Sequence, residues 1–191
     1  MKLDFLNRRA LVKSLNTNQF KLAVEVGTRA GYFSKYILDH TLMKVIAIDP
    51  WIDNAELSNA EAVYQQCVDL LKEYNNRVYM LKAFSPAAAN IFKDESFDFV
   101  YIDALHDYTS VFNDLNAWWP KIKKGRIMAG HDFSETKWPG VVNAVKQFCQ
   151  VNNVRYNLTG IVGNSRENYE KMGEVEYDGD EMSWCIIKEE E

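Results

Sequence analysis

Leu22-Ala-Val-Glu25-Val-Gly27-Thr28-Arg29-Ala30-Gly31-Tyr32 takes the chain from a short apolar run through a glycine turn into helical spacing that continues to Asp39. A β-branched run of strand length followed by such a turn reads as a buried parallel strand feeding a helix. The pattern repeats outward from this stretch. Val45–Ile48, Val78–Leu81, Phe97–Ile102, Arg126–Ala129, Arg155–Leu158 and Ser183–Ile187 are further strand-like runs. Helical spacing occupies Ala55–Glu73, Pro86–Phe92, Tyr108–Trp119 and Gly140–Val151, with Val111, Leu115 and Trp118 on one face. Strand and helix alternate almost throughout, which predicts an α/β fold: one doubly wound, seven-stranded, mostly parallel sheet flanked by helices.

The 191 residues fit a single domain, 1–191, with no linker or repeat. Residues 1–20 read as an N-terminal helical segment, amphipathic over Phe5–Leu15 and expected at the sheet edge. The net charge is −5, and the stretch 165–182 supplies the whole excess: Glu167, Glu170, Glu174, Glu176, Asp178, Asp180 and Glu181 face only Arg166 and Lys171. Residues 163–181 are therefore expected to form an acidic loop or hairpin between the last two strands. A body in charge balance offers no surplus of cations for phosphates, so nucleic acid is not an expected partner. No apolar run is long enough for a membrane span or signal peptide, and the expectation is a cytoplasmic protein. Cys67, Cys149 and Cys185 lack CxxC spacing and read as buried thiols.

In an open parallel sheet, ligands bind beyond the carboxyl ends of the strands, where this chain is polar. Gly27, Thr28 and Gly31 form a turn at which a ligand could approach the backbone beside a helix N-terminus. Arg29 stands where a dinucleotide fingerprint has its middle glycine, which argues against a pyrophosphate. Asp49 ends the second run, 24 residues after Glu25, where a carboxylate can accept both hydrogen bonds of a ribose diol. Together these positions suggest a nucleoside without a phosphate.

This acidic residue, Gly27, Gly31 and Asp49 pattern resembles class I S-adenosylmethionine-dependent methyltransferases. Phe97–Tyr108, Asp114-Leu115, Trp118, Lys124-Gly125 and Gly130-His131-Asp132-Phe133 sharpen the resemblance to the small O-methyltransferases of the macrocin and cephalosporin-hydroxylase-like group, over roughly residues 20–150. The resemblance implies that S-adenosylmethionine binds at Glu25, Gly27, Thr28, Gly31, Asp49, Phe84, Ser85 and Asp103, with Phe84-Ser85 near adenine. It implies a divalent cation at Asp103 and Asp132, for which the hard oxygen ligands make magnesium the first expectation, and makes His106 a candidate base.

Physical chemistry points the same way. Two carboxylates at neighbouring strand ends repel unless one protonates or a cation joins them. His131 is a further candidate ligand that would move the preference toward a transition metal. The cation would lower the pKa of an acceptor hydroxyl and leave His106 to take its proton. Trp51 and Trp138 are candidates to stack on a ring, whereas Trp118 and Trp119 share the spacing of packing residues and His40 reads as a helix C-cap. The expected acceptor is a hydroxyl of a small molecule or sugar. Association into a homo-oligomer is left open. A metal-independent methyltransferase on another acceptor and a non-catalytic nucleoside-binding module are the competing readings, while an NAD oxidoreductase is disfavoured by Arg29.

Overall fold

The computed structural model describes residues 7–53, 58–159 and 182–189. Seven strands form one sheet in the order β3-β2-β1-β4-β5-β7-β6. They are β1 (Leu22–Val26), β2 (Lys44–Asp49), β3 (Val78–Lys82), β4 (Phe97–Ile102), β5 (Ile122–Phe133), β6 (Tyr156–Thr159) and β7 (Met182–Ile187). The helices are α1 (Arg8–Ser14), α2 (Tyr32–His40), α3 (Ala60–Leu71), α4 (Ser85–Ala89), α5 (Tyr108–Trp118) and α6 (Pro139–Asn152). All five strands from β1 to β5 run parallel, and the strand order reverses between β1 and β4. That switch point opens a crevice at the carboxyl ends, where the candidate residues were expected.

The period of two along each strand divides the core into two layers. Val24, Val26, Val100 and Ile102 face Leu115, Trp118 and Phe148 of α5 and α6. Ala23, Val45, Phe99 and Tyr101 face the layer of Leu11, Ile37 and Leu71 from α1, α2 and α3. All six residues of β4 are buried, as the central strand of a doubly covered sheet requires. Side-chain caps fix helix starts: Asn7 Oδ1 accepts from Ala10 N at 2.7 Å, and Asp107 Oδ1 accepts from Ser110 N at 3.0 Å.

Three boundaries differ from the sequence reading. β5 is longer than Arg126–Ala129 because its pairing with β4 and β7 continues across register shifts at both ends. β7 runs antiparallel between β5 and β6, so the last two strands pair as neighbours without a crossover helix. Helix α1 lies over the middle of the sheet rather than its edge: Leu11, Val12 and Leu15 are buried in the layer containing Phe99 and Ile127, and Arg8 reaches the end of central β4. The acidic segment 163–181 lies outside the described residues. The three cysteines are buried and unpaired, and His40 Nδ1 bonds Tyr36 O within the last turn of α2. Among the described residues no helix is long and apolar enough to cross a membrane.

Candidate active site

Asp49 organises the loop between β1 and α2. Its Oδ2 accepts from the Arg29 amide at 2.9 Å and its Oδ1 from the Trp51 amide at 2.7 Å, while Trp51 Nε1 donates to Arg29 O at 2.8 Å. Arg29 and Trp51 both hold left-handed backbone, φ 51 and 41, a strain of roughly 1–3 kcal/mol each that the Asp49 bonds help offset. Each carboxylate oxygen accepts only one of these bonds, so lone pairs remain for a diol. Trp51 itself is buried against Tyr64 and is no open stacking face, which corrects its reading as a ring platform.

The glycines serve the fold in a way the sequence did not disclose. A Cβ on Gly27, at φ +90, would lie 2.0 Å from Asp103 O, and one on Gly31, at φ +86, would lie 2.8 Å from Cys67 Sγ. Their missing side chains admit the protein's own neighbours rather than a ligand. Thr28 is buried, with its hydroxyl on Glu25 O. Glu25 is 2% exposed, receives the Ser34 hydroxyl, and is pushed by burial up to about 8 despite that bond. Its carboxyl therefore lies under the crevice rather than in it. Ser85 also turns inward: its Oγ donates to Asp114 Oδ1 at 2.5 Å and accepts from Trp118 Nε1 at 2.9 Å. That bond competes with an adenine contact through the hydroxyl. Phe84 beside it is 60% exposed and free to meet a flat ring.

Asp103, His106, His131 and Asp132 converge as expected. Asp103 follows β4, with its amide on Val26 O at 2.8 Å. Asp132 sits in the β5 irregularity at φ 58, a kink that re-aims its carboxylate. His106 Nε2 lies 2.8 Å from Asp132 Oδ2 and 3.9 Å from Asp103 Oδ1, and His131 Nδ1 lies 3.2 Å from Asp132 Oδ1. Asp103, His131 and Asp132 each offer a ligand atom, all within 4.8 Å of one another. Trp138, expected on a cofactor or sugar, stacks on His106 at 4.2 Å between centroids.

Two further residues complete the crevice. Arg8 Nη1 lies 3.5 Å from Asp103 Oδ2. Trp184 is 1% exposed and lines the crevice with an Nε1 that has no hydrogen-bond partner among the described residues, as do His106 with Nδ1 and His131 with Nε2. Neither was legible in the sequence, because both reach the site from helices and strands distant along the chain. Burial lowers the pKa of His106, but the Asp103 and Asp132 carboxylates more than reverse this and carry it to about 10. Burial works to raise Asp132, yet its bonds to His106 and His131 hold it below the usual carboxylate range. The repulsion expected between the two carboxylates is thus already relieved by side chains.

The Methyltransferase domain family matches residues 24–133, more than half of the chain. The chain belongs to that family. It is a class I S-adenosylmethionine-dependent methyltransferase. Solved structures share the methyltransferase's fold. An O-methyltransferase from Bacillus cereus, in complex with SAH, is 17% identical with a TM-score of 0.62, covering 94% of this chain and 78% of that one. A precorrin-6y C5,15-methyltransferase from Geobacter metallireducens is 14% identical with a TM-score of 0.64, covering 95% and 87%. The spermidine synthase of Thermotoga maritima is 14% identical with a TM-score of 0.60, covering 97% and 58%, so chemistry must be argued from the site and not the fold. No curated protein matches the methyltransferase's sequence.

Proposed function

We propose that this methyltransferase moves the methyl group of S-adenosylmethionine to a hydroxyl oxygen of a small molecule or sugar, with Asp103, His131 and Asp132 holding a divalent cation. The observation that carries the reading is the convergence of these three ligand atoms, with His106, at the carboxyl end of the sheet. Two carboxylates and an imidazole fit a divalent ion, and the nitrogen favours manganese or another transition metal over the magnesium first expected. When bound, the cofactor supplies an electrophilic sulfonium methyl and the cation a Lewis acid that makes a hydroxyl easier to deprotonate.

The chain's own residues supply orientation. Asp49 has acceptor capacity for the ribose hydroxyls, and Phe84 offers a face for adenine. Asp103 joins the two halves, its backbone against Gly27 and its side chain in the cluster. His106 is the residue placed to take the acceptor's proton, with its ring fixed by Trp138. While Asp103 and Asp132 lend it their full negative charge, it is an imidazolium and a poor base; positive charge on the same carboxylates frees it. A second reading follows from Arg8 and His106 already balancing the carboxylates: a cation-independent transfer in which Asp103 and Asp132 only orient the acceptor.

The test is formation of S-adenosylhomocysteine with panels of phenols, sugars and amines, before and after chelation and with Mn2+ restored. Turnover on a hydroxyl acceptor, abolished by chelation and cut on the order of 10²–10⁴-fold in His106→Ala, is expected. Turnover indifferent to chelation selects the cation-independent reading, and transfer confined to amines overturns the hydroxyl acceptor.

A further inference from the structure

Arg8 is the first residue of α1, anchored by the Asn7 cap, and its guanidinium carbon stands 5.0 Å from the centroid of the Phe33 ring. From there its Nη1 reaches Asp103 Oδ2 at 3.5 Å, with side chains 19% and 25% exposed. Asp103 is also one of the three residues able to share a cation. A guanidinium cannot shed its proton, so its charge beside Asp103 is permanent. A divalent ion on the same carboxylate meets that charge at short range.

We infer that Arg8 and a divalent cation compete for the carboxylate of Asp103, so that the N-terminal helix sets the cation affinity of the site. This rests on the cation reading above. When a cation takes Asp103, the Phe33 face is still there to receive the guanidinium, while the ion pair with Asp103 is given up. The charge of Arg8 weakens cation binding on the order of tenfold at low ionic strength, and less in salt, because the pair is partly exposed.

The sign of the effect separates competition from support. Removing a residue that merely holds the site together loosens the cation; removing a competitor tightens it. Mn2+ binding to the full chain, followed by electron paramagnetic resonance without cofactor or acceptor, reads this directly. Arg8→Met, which keeps the apolar stem, is expected to bind Mn2+ about tenfold more tightly than the parent, with the gap shrinking in high salt. Arg8→Lys keeps the charge and is expected to stay within about threefold of the parent. Asp103→Asn is expected to lose most of the binding. Equal or weaker binding by a folded Arg8→Met, with the parent binding well, overturns the competition and leaves the cation reading standing. If neither protein takes up Mn2+, or if Asp103→Asn binds as the parent does, the cation reading falls and the competition with it.

Discussion

Glu25 shows how a single buried acid couples this protein to pH. Burial pushes its carboxyl up to about 8, from an ordinary value of 4.5, although Ser34 donates to it. Between those values the native state binds a proton that the unfolded chain releases. The stability this provides is complete below 4.5 and is lost as pH rises through about 8. Glu25→Gln keeps the shape and removes the titration. Urea midpoints at pH 5, 7 and 9 are expected to show the variant gaining on the parent with pH, by on the order of 1–3 kcal/mol overall. Parallel pH profiles for the two proteins would show that Glu25 is charged in the folded state. From the sequence Glu25 could be placed beside the turn, but not under it: its buried partner there is Ser34, nine residues on, which no spacing rule singles out.

Between elements, β5 and β7 meet closely at Gly130. A Cβ on Gly130 would lie 2.4 Å from Trp184 Cζ2 and 2.5 Å from Ile102 O, so the glycine lets the indole pack closely over β5 beside the crevice. Gly130→Ala must displace that ring or the β4 backbone. A loss of roughly 1–3 kcal/mol in denaturant unfolding is expected, as for other overpacked cores. An unchanged midpoint would mean that Trp184 swings clear without cost. The strands themselves were readable because each is an apolar run bounded by polar residues, and Asp49, Asp103 and Asp132 were readable because the sheet puts strand ends together. The direction of β7 and the bend at Asp132 were not, since both are set by pairing between residues far apart in the chain. The same holds for Arg8, whose partner lies 95 positions away and leaves no local trace in the sequence.

For the molecule as a whole, a ligand held by the native state alone raises global stability, by about 2.7 kcal/mol at one hundred times its Kd. S-adenosylhomocysteine is expected to raise the melting temperature of the parent. Asp49→Ala should lose most of that rise, since it removes the proposed acceptor for the ribose hydroxyls and the bonds that hold Arg29 and Trp51. An undiminished rise would place the nucleoside elsewhere. Gly27 and Asp103 give such binding a wider reach. The turn proposed to face the nucleoside rests directly on the backbone of Asp103, the residue proposed to face the acceptor, close enough that even a methyl group between them would collide. A packed contact of this kind passes displacement from one side to the other. Whatever occupancy of the turn does to the affinity for an acceptor, the acceptor must do equally to the affinity for the nucleoside, because the two share one thermodynamic cycle.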